Sequence, residues 1–170
     1  LASGICVLLV LDLFVRDSAR DLSYLLAIFL LAGVAWVLIG TSPESTAQLA
    51  AGGAYVADDL ARVLKLFAVT AVATVFLYSR PWLRSRKLHF GEYYVLGLFG
   101  LLGVMVLASG YSLLVSYIGL EILSLSLYAM VAFDRDSARS AEAAMKYFVL
   151  GAIASGTLLY GMSLIYGITG

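Results

Sequence analysis

A chain of 170 residues that is 62% apolar and 13% charged, with mean hydropathy +0.98, has too few charges to cover a water-facing surface; soluble domains carry roughly a quarter charged residues. The composition excludes a soluble enzyme, a nucleic-acid binder and a disordered tail, and leaves an all-α, polytopic transmembrane helix bundle with no soluble domain. Eleven Lys and Arg balance eleven Asp and Glu, so the placement of the charges says more than their sum.

A span needs about 20 mostly apolar residues. The first run, 1–15, is short and reads as a span truncated at its start, with Asp12 near the interface. Arg16 and Arg20 follow it. The second span is 22–40. The loop 41–59 holds Pro43, Glu44, Asp58 and Asp59 and no Lys or Arg. The third span is about 60–78, with Arg62 and Lys65 near its start, where both can snorkel to the interface. The next loop carries Arg80, Pro81, Arg84, Arg86, Lys87 and His89. The fourth span, about 92–109, repeats glycine at Gly97, Gly100 and Gly103. An uncharged turn at Gly110 leads to the fifth span, 112–133. Arg135 and Arg139 precede the sixth, 140–166, which holds the small-x-x-x-small pair Gly151 and Ser155. Small residues at such spacings let helices pack closely in lipid. The apolar runs are long and do not alternate, and open sheets cannot span lipid, so no strands are expected. Both prolines fall in loops, which leaves every span uninterrupted.

Eight of the eleven basic residues lie on loops one, three and five. The positive-inside rule makes those loops (16–21, 79–91 and 134–139) cytoplasmic, and puts loop 41–59 and both chain ends outside. The basic cluster ending at Lys87, with His89, fixes topology and can touch anionic lipid head groups of the phospholipid membrane. Cys6 is the single cysteine, which excludes a disulfide framework and a cysteine-held iron–sulfur cluster. One histidine in a basic loop does not suit haem or zinc, and no phosphate or dinucleotide cradle is present. No cofactor is expected in this chain. It starts at Leu1 inside an apolar run, without a basic leader, and reads as a piece of a longer protein.

The charges left inside the spans carry the functional reading. Glu121 lies near the middle of the fifth span, too deep for a short carboxyl side chain to snorkel, at a cost of about 2.5 to 3.5 kcal/mol on insertion scales. Tyr117, Ser124 and Tyr128 stand at i−4, i+3 and i+7 on the same helical face and can hydrogen-bond either protonation state. Desolvation favours the neutral acid and a nearby lysine the carboxylate, so the group suits a switchable proton site. The alternative is a polar staple between helices. Lys146 is six residues into the sixth span, with Glu142 at i−4 in the favourable order; it either snorkels or lies about 9 Å in depth from Glu121, a gap that one or two waters can bridge. Lys65 is a supporting candidate.

Residues 100–130 resemble the antiporter-like membrane subunits of respiratory complex I, the NADH–quinone oxidoreductases, and Y-I-G-L-E-I-L-S-L-S-L-Y at 117–128 carries that family's fifth-helix glutamate. The stretch E-A-A-M-K-Y-F-V-L-G-A-I-A-S-G-T-L-L-Y-G-M-S-L-I-Y-G at 142–167 is more specific, because it separates one branch of the family from its paralogues. The segments L-L-V-L-D-L-F-V at 8–15 and D-D-L-A-R-V-L-K at 58–65 also fit. The resemblance implies a fold of about fourteen helices, of which this chain gives the first six: 1–78 the first three helices, and 79–170 helices four to six, the start of the antiporter-like repeat module.

The resemblance also implies that Glu121 and Lys146 are proton-translocation residues, that Glu121 pairs with a lysine on a broken seventh helix in the remainder of the chain, and that other membrane subunits are partners. NADH, FMN, iron–sulfur clusters and quinone belong to partner subunits, so the chain takes part in a redox-driven translocase in a bacterial inner membrane without redox chemistry of its own. The rivals are a subunit of a multisubunit sodium–proton antiporter and a non-pumping structural membrane subunit.

Overall fold

The computed structural model describes residues 1–14, 20–40, 48–50, 54–86 and 90–169. Pro43, Glu44, Arg16, Lys87 and His89 lie outside the described residues, as do the side chains of Arg20 and Arg86. Six helices follow in order: α1 (Ala2–Phe14), α2 (Arg20–Gly40), α3 (Asp59–Arg86), α4 (Phe90–Ser109), α5 (Leu113–Val131) and α6 (Ala138–Thr169). Five of them, α2 to α6, are long and apolar enough to cross a membrane, and α1 is a shorter apolar helix. This is a multi-pass membrane bundle, as the composition requires. In lipid every backbone N–H and C=O must find a partner within its own segment, which is why each apolar run closes into a helix.

α4 is the central element. It packs most extensively on α5 and also touches α1, α2 and α3, while α6 rests on α5. The core on its α1–α3 side is built from Ile5, Leu31, Phe76, Leu83, Tyr94 and Leu98, all essentially inaccessible. Tyr24, Phe76, Tyr93, Tyr94 and Phe133 form a continuous aromatic cluster with ring centroids 5.0–6.0 Å apart. α6 has no buried residue.

The loop pattern places its partners at the two ends as the alternation of charge predicts. At one end, Arg80 stacks over the Tyr24 ring at 4.5 Å, Arg135 donates to Glu92 at 2.7 Å, and Ser23 donates to Asp12. Asp12 is therefore a tie between α1 and α2 as well as an interfacial charge. At the other end, the Tyr111 N–H bonds the Ala54 carbonyl at 3.0 Å, and Tyr55 bridges Gly110.

Three expectations need correction. Pro81 lies inside α3, which runs on to Arg86, rather than in a loop. A 28-residue helix is about 42 Å long, against a hydrocarbon core of about 30 Å, so its last turns stand beyond the hydrophobic run. Proline removes one ladder donor there. Ser79 Oγ donates to the Phe76 carbonyl at 3.3 Å, and Leu83, fully buried two residues past the proline, holds the last turns against the bundle. The second correction is a two-stranded hairpin, β1 (Gln48–Ala50) and β2 (Tyr55–Ala57), antiparallel in the second loop. It is compatible with lipid physics because it joins spans and crosses nothing.

The third correction concerns Arg62, which does more than snorkel. Its Nε donates to the Leu38 carbonyl at 2.8 Å and its Nη2 to the Ile39 carbonyl at 3.2 Å. Those carbonyls belong to the last turn of α2, where intrahelical donors have run out and a cation is favoured. An Arg62→Leu change in the full-length subunit is expected to cost about 1 to 2 kcal/mol, read as a lower denaturation midpoint in detergent. Arg62→Lys should recover less than half of it, because an ammonium lacks the planar fork that reaches both carbonyls. Full recovery by lysine would show that snorkelling alone explains the residue.

Candidate functional site

α5 is set by Ser112, whose side chain accepts the Val115 N–H at 3.2 Å as an N-cap; a cap oxygen fills one of the orphan donors of the first turn. Glu121 then falls eight residues after Leu113 and ten before Val131. At 1.5 Å per residue it lies about 12 and 15 Å from the two helix ends, so it sits at mid-span.

The structure brings Glu121 together with two hydroxyls. Ser155 Oγ on α6 donates to Glu121 Oε1, and Tyr117 Oη lies 2.9 Å from the same Ser155 Oγ. Tyr117 is thus in the site as the helical spacing predicts. Tyr128 lies on the same α5–α6 seam, with its ring edge-on to Tyr147 and Phe148 at centroid distances of 5.0 and 5.6 Å. Its hydroxyl rests on Gly151, where an added Cβ would collide with Oη. Ser124 makes no hydrogen bond among the described residues. The serine of α5 that is buried is Ser126, which donates to the Ile122 carbonyl of its own helix at 2.7 Å.

Lys146 is not brought to Glu121. It donates to Glu142 one turn earlier on α6, with 69% and 67% of the two side chains exposed. The pairing follows from the i, i+4 spacing and the Glu-before-Lys order. Lys65 is elsewhere, at an open cavity of about 620 Å³ walled by α2, α3 and α4 residues such as Phe29, Val34 and Leu102. It lies at the hairpin end and plays no part in the Glu121 cluster.

The small residues prove to have separate tasks. Gly103 and Gly119 form the real backbone contact between α4 and α5. Gly97 receives the Phe76 ring, and Gly100 is in ordinary contact. Gly151 and Ser155 seat the polar side chains of α5. Sequence spacing marked Gly151 and Ser155 as small but did not mark Ser155 as a hydrogen-bond donor to the acid. The available signal was a hydroxyl on the face of α6 that already carried Gly151.

What this arrangement does chemically is hold one ionisable carboxyl in the lipid-spanning region with a hydroxyl of the neighbouring helix donating to it. Residues 110–170, which contain all these groups, match the family described as NADH:quinone oxidoreductase/Mrp antiporter, TM. Over 166 residues the chain is 58% identical to NADH-quinone oxidoreductase subunit N of Thioalkalivibrio sulfidiphilus, an alignment covering 97% of this chain and 34% of that protein. Subunit N of Alkalilimnicola ehrlichii is 54% identical over 165 residues, with the same two coverages, 97% and 34%. The fold is similar to a chain of respiratory complex I from Thermus thermophilus with bound aureothin, at a TM-score of 0.80 and 30% identity, covering 99% of this chain and 36% of that one. The chain spans about a third of the length of the curated relatives it matches. The branch singled out by the stretch around Lys146 is the one these relatives represent, and along 97% of its length the chain is similar to subunit N of NADH-quinone oxidoreductase.

Proposed function

We propose that this chain is part of a proton-translocating membrane subunit of NADH–quinone oxidoreductase, with Glu121 as its proton-exchanging group. The observation that carries the reading is a carboxyl at mid-span, hydrogen-bonded to Ser155 and reached by Tyr117 through the same hydroxyl. As a polar staple alone, the acid is an expensive choice, since its burial costs about 2.5 to 3.5 kcal/mol and a neutral side chain would bond the same serine. Lys146, paired with Glu142 on an exposed face of α6, links the site to the cytoplasm or to the central hydrophilic axis of the complex. In this reading residues 79–170 open the antiporter-like repeat module, and the remainder of the subunit supplies the lysine that pairs with Glu121.

Moving one charge across the membrane costs about 2.3 kcal/mol per 100 mV. The sequence has no nucleotide cradle, so partner subunits holding NADH, FMN, iron–sulfur clusters and quinone supply that energy. The end of the bundle carrying Arg80, Arg84, Arg135 and Arg139 faces the cytoplasm, and the hairpin faces the outer side of a bacterial inner membrane.

The second reading, a sodium–proton antiporter subunit, is kept because the family description names an Mrp antiporter beside NADH:quinone oxidoreductase. Glu121→Gln in the full-length subunit, assayed in inverted membrane vesicles, separates them. The expected result is an assembled complex whose NADH-driven proton uptake falls at least tenfold. Unchanged uptake would remove Glu121 from the mechanism, and sodium-dependent transport without NADH would establish the antiporter.

A further inference from the structure

On α6 the hydroxyls of Thr157, Ser163 and Thr169 all donate to carbonyls of their own helix three or four residues back, at 2.7–2.9 Å. Thr70, Thr74 and Ser126 do the same on α3 and α5. This is the ordinary resting place of a hydroxyl in a membrane helix, because the carbonyl one turn back is always within reach. Ser155 departs from it. Its hydroxyl reaches across to α5 and donates to Glu121, and its oxygen lies 2.9 Å from Tyr117 Oη.

A serine hydroxyl has one hydrogen and two lone pairs. When Glu121 is ionised that hydrogen lies on its carboxylate, so Tyr117 is then the donor to Ser155 and the bonds run one way: Tyr117 to Ser155 to the carboxylate. The order is the one that solvates a negative charge. Around this cluster the other ionisable groups are few. α4 has none from Val95 to Ser109, α6 has none between Phe148 and Leu159, and α5 has Tyr117 and Tyr128. Gly151, one turn before Ser155, gives room to Tyr128 and offers no donor. If room were all that position 155 had to supply, a second glycine would serve equally.

We propose that Ser155 is a positioning residue for Glu121, donating the hydrogen bond that stabilises its ionised form, and that Tyr117 acts through Ser155 by fixing the direction of that donor. The proposal rests on the reading of Glu121 as the proton-exchanging group. Loss of the donor removes this hydrogen bond from the ionised carboxylate. The pH profile of proton uptake then moves to the alkaline side by roughly one unit, the size expected for one hydrogen bond to a charged group.

The test uses the full-length subunit in its assembled complex, with NADH-driven proton uptake followed against pH in inverted vesicles. Ser155→Ala should move the profile as stated, and Ser155→Thr, which keeps the hydroxyl, should restore it. Tyr117→Phe should shift it the same way by less, and the double variant should match Ser155→Ala alone. Equal impairment in the alanine and threonine variants would overturn the proposal in favour of simple packing. So would a wild-type profile in Ser155→Ala. If Ser155→Ala does not assemble, Tyr117→Phe decides, and an unmoved profile there overturns the proposal. Glu121→Gln, run in parallel, separates the two failures: full uptake in that variant brings down the reading of Glu121 itself, whereas lost uptake with an unmoved Ser155→Ala profile brings down only the role of Ser155.

Discussion

Gly103→Val is expected to force α4 and α5 apart and to cost about 3 kcal/mol or more, at the upper end for overpacked cores. A Cβ at Gly103 would fall 2.6 Å from the Leu123 nitrogen and 2.7 Å from the Gly119 carbonyl oxygen. From the other helix, a Cβ at Gly119 would fall 2.7 Å from the Leu107 nitrogen. Every one of these atoms is backbone. A side chain can rotate away from a new methyl group, but a helix backbone can only move as a whole. In lipid this close approach is itself a main source of helix association, because apolar burial gives no drive between helices already in hydrocarbon. Gly156 and Gly161 are the controls, since an added Cβ meets nothing within 4 Å at either. Gly156→Ala should be neutral or stabilise by up to about 1 kcal/mol through helix propensity. The check is the denaturation midpoint of the full-length subunit in detergent for Gly103→Val, Gly103→Ala and Gly156→Ala. A Gly103→Ala protein as stable as Gly156→Ala would show that the crossing is looser than its geometry. Glu121 sits between Gly119 and Leu123, so a displaced crossing also moves the carboxyl relative to α6, and proton uptake should fall along with stability.

The glycine row on α4 was visible in the sequence, yet only its last member meets backbone. Which of Gly97, Gly100 and Gly103 does so depends on the rotation of α4 and on what stands opposite. Gly119 is that counterpart, and a single glycine inside I-G-L-E carries no signal of its own. The same physics explains the other gains and misses. The alternation of charge between loops could be read because it recurs three times along the chain, and Arg80 near Tyr24 with Arg135 near Glu92 gives the same-end geometry it implies. Hydropathy locates where a helix lies in lipid and not where it stops. α3 therefore continues through Pro81 to Arg86, on turns that Leu83 anchors. The stripe of Tyr117, Glu121 and Tyr128 follows from 3.6-residue periodicity within one helix. Ser155 required knowing how a second helix is turned against the first, which periodicity on either one does not contain. Lys146 shows the reverse: the local partner, Glu142, was one turn away and won over a remote one.

Phe76→Ala and Gly97→Ala are each expected to be costly, and together to cost less than the sum of the two. Phe76 is 1% exposed and is held edge-on to Tyr94 at 5.0 Å, with Tyr93 at 6.0 Å. A Cβ on Gly97 would fall 2.5 Å from Phe76 Cε1 and 2.6 Å from its Cζ, so the missing side chain at 97 is the notch that admits the ring. Phe-to-Ala changes in water-soluble cores cost about 3 to 5 kcal/mol. Part of that is transfer from water, which drops out when the separated helices still lie in lipid. The lost packing remains, and roughly 2 kcal/mol is expected for Phe76→Ala. Gly97→Ala alone should cost about 1 to 3 kcal/mol, because Tyr93 and Tyr94 leave the ring little room to retreat. In the double variant the new methyl group enters the space that the ring vacated. The cycle should then show a favourable coupling of at least about 1 kcal/mol, within the range for residues sharing one cavity. Denaturation midpoints of the four full-length proteins in one detergent measure it. Simple addition of the two single costs would mean that the ring and the glycine do not share a notch, and that the seam between α3 and α4 is set by Leu83 and Leu98 instead.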